Sequence, residues 1–333
     1  MIDKDTTLAI LEASDQRRTE RRRFLAMAGG GIAAAGGLAV LSACHSDFPS
    51  PAPSPTPTPT PTAITDADVL NFALNLEYLE AQFYLYAVTG AGLASSQLSG
   101  TGTQGTVTGG RKVTFTDPAV QAYAIEIAAD ERTHVQFLRA QLGSSAVAMP
   151  SINIDGGSTG AFTAAARAAG VITSAQTFDP YASDENFLLA AFIFEDVGVT
   201  AYKGASPLIT NKTYLEAAAG ILAAEAYHAG LVRTTLYGKG IRTPSLQLIE
   251  SAGKISDARD SLDGSSDDDQ GIASPDGGAT SNIVPADANG IAYSRNTNQV
   301  LHIVYLNAAA GTASGGFFPN GVNGTIKTAA ANP

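Results

Sequence analysis

Two segments of this chain, DERTHVQFLR at residues 130–139 and EAYHAGLVR at residues 225–233, repeat one spacing: Glu131-x-x-His134-x4-Arg139 and Glu225-x-x-His228-x4-Arg233. The chain has only four histidines in 333 residues, so two of them fall in this motif. A Glu three residues before a His places both side chains on one face of a helix. A fold that uses the pair twice has to present two helices bearing a carboxylate and an imidazole.

The flanking sequence predicts four long helices. Thr65 with Asp68 forms a capping box ahead of Phe72, Leu76, Leu79, Phe83 and Tyr86, which recur at helical spacing until Gly90. Asp117 and Pro118 begin a second helix that ends at Gly143. Ser183 caps a third, which closes at Gly204, and Asn211 opens a fourth, which closes at Gly238. The first and third helices share Glu77-x6-Tyr84-x2-Ala87 and Glu195-x6-Tyr202-x2-Ala205. The chain thus contains one helix pair twice. Of the two long connections, only 143–182 is placed to cross the length of a bundle. A further helix is expected around Ser245 to Leu262, and the apolar stretch QVLHIVYLN, with His302, is expected to pack on the bundle.

Counted from the four helix starts, Glu77, Glu131, Glu195 and Glu225 all lie roughly 17 to 20 Å along their axes, near mid-bundle. Four glutamates and two histidines converging in a dry interior are prohibitive as bare charges. Two divalent cations remove the difficulty. Each could take one His nitrogen and one terminal carboxylate, with the remaining carboxylates bridging. The competing reading makes these residues solvated faces or salt bridges to Arg139 and Arg233, but their neighbours are mostly Ala, Phe, Leu and Val.

This arrangement, a Glu from each of two helices and Glu-x-x-His from each of the other two, resembles the ferritin-like carboxylate proteins over residues 65–238. In finer wording, NLEYLEAQFYLYA, FEDVGVTAYKGA and AAAGILAAEAYHAGLVR are similar to the bacterial ferritin-like family related to plant desiccation-related proteins. That likeness continues through NIVPADANGIAYSR and GGFFPNGVNGTI. The resemblance implies an all-α, ferritin-like four-helix bundle with a long crossover and an irregular C-terminal extension, 239–333, containing short helices. It also implies two iron ions, or manganese in their place, reacting with O2 or peroxide in iron oxidation or oxidative-stress defence. The alternative is a non-catalytic stress- or desiccation-related envelope protein whose metal site is structural or vestigial.

Four more residues are candidates for supporting the site. Asp130 matches the DExxH form of related proteins, where the Asp orients a histidine ring; the corresponding Ala224 makes such support one-sided. Glu80 lies one turn from Glu77, but its partner in the repeat is Gly198, so it is expected beside the ligands or exposed. Tyr84 and Tyr202 are read as core tyrosines with satisfied hydroxyls, the other role being hydrogen bonds to ligands or electron transfer.

The N-terminal region reads as targeting sequence. Arg21, Arg22, Phe24 and Leu25 match a twin-arginine signal, and Leu41-Ser42-Ala43-Cys44 matches a lipobox, so residues 1–44 read as a Tat-type lipoprotein signal with Cys44 as the lipidation site. The competing reading is an uncleaved apolar anchor. Residues 45–64 are a Pro/Thr-rich tether, expected to be extended at about 3.1 Å per residue. The expected destination is the periplasm, on a membrane. Cys44 is the only cysteine, so metal has to be held by oxygen and nitrogen. A net charge of −11 argues against a nucleic-acid partner. The run Asp267, Asp268, Asp269 lacks EF-hand spacing and reads as a solvated loop.

Overall fold

The computed structural model describes residues 63–274 and 280–332. The Tat-type signal, Cys44 and nearly all of the tether lie outside the described residues. Among the described residues no helix is long and apolar enough to cross a membrane.

Four long helices form the body: α1 (Asp66–Thr89), α2 (Pro118–Leu142), α4 (Asp184–Ala205) and α5 (Lys212–Arg242). Their N-terminal signals are local. Thr65 and Asp68 close a capping box, Asp117 accepts from Ala119 N ahead of Pro118, Ser183 accepts from Asn186 N, and Asn211 accepts from Thr213 N and Tyr214 N. Each such cap satisfies backbone N–H groups that lack an intrahelical partner. α1 ends where Gly90 takes φ 82°, a left-handed conformation that suits glycine.

α1 packs against α2, and α4 against α5. Leu70 and Leu138 line one cavity at the start of α1, and Val113 N bonds Ala87 O at its far end, so α1 and α2 run antiparallel. Tyr84 reaching Glu195 and Tyr202 reaching Glu77 make α1 and α4 antiparallel as well. The crossover therefore returns along the length of the bundle. On the way it forms β2 (Ile152–Ile154), parallel to β1 (Val107–Gly109) from the first connection, and a short helix α3 (Ala161–Ala168).

The repeat extends to the helix ends. Asp66, first residue of α1, accepts from the backbone N–H of Thr210 and Asn211 at 2.8 Å each, just before α5. Asp184, first residue of α4, accepts from Thr116 N at 3.1 Å and Asp117 N at 2.9 Å, just before α2. Each helix pair thus uses its first carboxylate to hold the start of the other pair's second helix. Between the pairs, Phe83 stacks on Phe187 at 5.5 Å and meets Phe194 edge-on at 5.6 Å.

The C-terminal extension contributes α6 (Leu248–Asp263) and α7 (Thr297–Tyr305), both packed on α4. Farther on, Asn323 exchanges hydrogen bonds with Asn75 of α1. The extension passes close to Gly204, where a Cβ would collide with Arg295 O. His302 is buried in α7, its ring against the carbonyls of Asn307 and Ala330.

Three expectations need correction. α5 continues past Gly238 to Arg242, since Lys239 binds Glu185 at 3.0 Å and Asp117 at 3.3 Å and so secures the last turn. A helical glycine costs only about 1 kcal/mol. The helix expected from Ser245 begins instead at Leu248, after a 3-10 turn over Pro244–Leu246. The Asp267–Asp269 run is not wholly solvated. Asp269 is buried, bonded to Arg259 and Arg295 at 2.7 and 2.8 Å.

Candidate metal centre

The structure brings Glu77 of α1, Glu131 and His134 of α2, Glu195 of α4, and Glu225 and His228 of α5 to one buried place. Glu77, Glu131, His134 and Glu225 form one group of converging ligand atoms, and Glu131, Glu195 and His228 a second; Glu131 belongs to both. His134 Nδ1 lies 3.2 Å from Glu77, 3.6 Å from Glu131 and 3.7 Å from Glu225. His228 Nδ1 lies 3.1 Å from Glu131 and 3.6 Å from Glu195. The two imidazole rings are 6.3 Å apart.

These approaches lack hydrogen-bond alignment. Eight atoms are buried with no hydrogen-bond partner: Oε2 of Glu77 and of Glu195, both oxygens of Glu131 and of Glu225, and Nδ1 of His134 and of His228. Buried polar atoms are almost always paired, so eight exceptions in six adjoining side chains demand an occupant. Four carboxylates and two neutral imidazoles would balance two divalent cations in charge and offer the oxygen and nitrogen donors they take. The cluster fits a metal site.

The tyrosines divide the carboxylates into two kinds. Tyr84 donates to Oε1 of Glu195 and Tyr202 to Oε1 of Glu77, each across the bundle, leaving one free oxygen on each acceptor. Glu131 and Glu225 keep both oxygens free. The expectation of buried, satisfied tyrosines therefore merges with the ligand-bonding role, since the ligand is what satisfies them.

Asp130 sits 3.1 Å from His228 Nε2, across from α2 to α5. Its side chain is 47% exposed, so it links a buried ring to solvent. Among the described residues no aspartate takes that place at His134, in keeping with Ala224 at the equivalent position. Glu80 is buried rather than exposed, beside a cavity of about 20 Å³ whose other walls include Gly198, Phe194 and Phe317. A Cβ at Gly198 would collide with Oε2 of Glu225, so this glycine makes room for the centre itself.

Arg139 and Arg233 do not pair with the cluster. Arg139 donates to Tyr78 Oη and Ser99 O, and Arg233 to Asp196 and three backbone carbonyls. The salt-bridge reading of the motif fails on that geometry. Sequence reasoning missed the partners Tyr78 and Asp196, although they occupy equivalent positions, each directly after Glu77 or Glu195.

Without metal, the charges in the cluster oppose one another. Burial, then neighbouring carboxylates, pushes Glu77 up to about 7 and raises Glu80 and Glu225 well above the ordinary range; burial also raises Glu195. Burial acts the same way on Glu131, but the flanking histidines outweigh it and lower Glu131 to about 2. Burial disfavours charge on the imidazoles, yet Glu77 and Glu131 raise His134 to about 10, and Glu131 and Glu195 raise His228 to about 12. Protons on the histidines and on the raised carboxylates thus offset the buried negative charge.

Comparison with known proteins agrees with this geometry. The model of the ferritin-like domain family matches residues 65–238. Over 271 residues the chain is 28% identical to the ferritin-like catalase Nec2 of Nesocodon mauritianus, covering 78% of this chain and 84% of that protein. It is 30% identical over 245 residues to the desiccation-related protein PCC13-62 of Craterostigma plantagineum, covering 71% and 76% respectively. No solved structure gives a significant match.

Proposed function

The chain belongs to the ferritin-like domain family, and on that premise we propose that it is a di-metal carboxylate protein that removes hydrogen peroxide. The observation that carries this reading is the set of eight unpartnered ligand atoms at mid-bundle. Glu77, Glu131, His134 and Glu225 would hold one cation, and Glu131, Glu195 and His228 the other. Two redox-active ions, iron or manganese, would supply electrons to one peroxide and recover them from a second. The similarity to a protein named a ferritin-like catalase favours peroxide over O2 as the oxidant.

The chain's own residues would do the positioning. Tyr84 and Tyr202 restrain Glu195 and Glu77 so that one oxygen of each points to the centre. Asp130 orients the His228 ring and fixes which nitrogen faces inward. Burial of all four carboxylates excludes bulk water, which strengthens each electrostatic contact in the site.

The test is oxygen evolution from peroxide by iron- or manganese-loaded protein. Two peroxides should yield two waters and one O2, and His134→Ala or His228→Ala should reduce the rate by at least a hundredfold. Loaded protein no faster than the free ions would overturn the reading. It would leave the alternative, a desiccation-related protein with a structural metal; the name of the second relative supports its desiccation-related part alone.

The Tat-type signal and lipobox further support export and membrane tethering through Cys44. Cys44→Ser should then move the protein from the membrane fraction to the soluble periplasm. Unchanged fractionation would favour the uncleaved anchor.

A further inference from the structure

The outer groove between α4 and α5 is covered by residues 282–295, and the cover leaves a cavity of about 100 Å³. Val199, Ala226, Ala229, Ile283, Val284 and Pro285 give it apolar walls. Its polar lining includes Asp196, Asp269 and Arg295, which are 6%, 7% and 1% exposed. Asp196 gives Oδ2 to Arg233 at 2.7 Å and to Arg259 at 3.0 Å. Both of these bonds fall on one oxygen of the carboxylate.

The first helix pair shows that this space is particular to the second. Under the offsets that relate Glu77 to Glu195 and Glu131 to Glu225, Thr200 corresponds to Gln82, Ala229 to Val135 and Gly230 to Gln136. Gln82 spans its own groove, with Nε2 on Met149 Sδ at 3.0 Å and Oε1 accepting from Leu93 N at 3.2 Å. Smaller residues at the equivalent places leave the second groove open.

We propose that this cavity binds a small molecule with an apolar body of about one ring and a single hydrogen-bond donor, of the chemical class of a phenol, with the donor meeting a carboxylate of the lining, which Asp196, Asp268 and Asp269 supply. The enclosed part, about 100 Å³, is smaller than the roughly 150 Å³ cavities that hold benzene, and the open rim, where Val284 is 75% exposed, supplies the remaining room. Charge selects the donor. Arg233, Arg259 and Arg295 are balanced by Asp196, Asp263 and Asp269, and Asp268 adds a further carboxylate to the lining. An anionic ligand would meet net negative charge. This inference is independent of the metal centre.

Ligand-detected NMR titration of the folded, metal-free chain with phenol, toluene and benzoate tests it. Phenol should bind at least tenfold tighter than either of the others. Gly230→Leu, where an added Cβ meets nothing within 4 Å, and Ala292→Phe in the cover should each abolish phenol binding without lowering the unfolding temperature. Absence of phenol binding at 10 mM (about 2.7 kcal/mol in affinity) would overturn the proposal. So would toluene or benzoate matching phenol, or phenol binding that survives in both variants. Should one variant fail to fold, the other and the wild-type probe series still decide.

Discussion

The pairs α1–α2 and α4–α5 present matching glutamates, histidines and tyrosines to the interior, yet their outer faces have diverged. At one equivalent position Arg139 donates to the Tyr78 hydroxyl at 2.5 Å near the surface. At the other, Arg233 is fully buried and paired with Asp196, which also binds Arg259. From there Asp269, Arg295 and Asp263 continue an ion network into the C-terminal extension. Two cations would require equivalent ligands from both pairs, whereas the outer faces have only to suit whatever covers them. The first pair is covered by uncharged loop contacts such as Gln82 with Leu93 and Met149, the second by an alternation of arginine and aspartate.

The largest expected asymmetry lies inside the centre. Glu131 belongs to both ligand groups and Glu225 to one, so Glu131→Ala should lose both metal equivalents while Glu225→Ala keeps one. Elemental analysis after anaerobic loading reads the difference, and equal losses would mean that the halves contribute alike.

Next come the two arginines. Arg233→Met leaves Asp196 with Arg259 as its remaining partner and takes the donor from three backbone carbonyls, and should cost about 3–5 kcal/mol of stability. Arg139→Met removes partly exposed hydrogen bonds and should cost about 1 kcal/mol. Urea unfolding of the metal-free variants measures both, and similar costs would erase the distinction drawn between the outer faces.

A smaller effect should follow from the one-sided support of the histidines. Asp130→Asn should weaken metal binding at the His228 group by roughly 10–100-fold and spare the His134 group. A uniform loss at both would show that Asp130 acts through the fold instead. The mildest signature concerns protons. His134 and His228, raised to about 10 and 12 in the metal-free state, are both charged at neutral pH and have to lose a proton to bind a cation. Affinity should therefore rise with pH between 6 and 8, with proton release visible as a buffer-dependent heat of binding. A buffer-independent heat would contradict the charge state assigned to the rings.

Much of the fold was legible because its signals are local. Thr65 with Asp68, Asp117 with Pro118, Ser183 and Asn211 each act within one turn, and each starts the helix expected of it. The helix ends were harder to read. Gly238 looks like a stop until Lys239 finds Glu185 and Asp117, and no periodicity in the sequence announces that partnership. Glu80 was ambiguous for a similar reason, since its exposure depends on α4 lying opposite with Gly198 in place of a larger residue.

By itself the sequence determined which side chains share a helix face and how deep along each helix they lie, because both follow from a rise of about 1.5 Å per residue and the near coincidence of positions three apart. That was enough to place four glutamates and two histidines together and to make metal their expected partner. Tertiary structure alone decided that Glu131 falls in both groups of converging ligand atoms, that tyrosines from opposite helices leave one oxygen free on Glu77 and Glu195, and that Arg233 is buried while Arg139 is not. Those outcomes depend on desolvation and on pairing between segments far apart in the chain, and neither exists until the covering loops and the C-terminal extension close over the bundle.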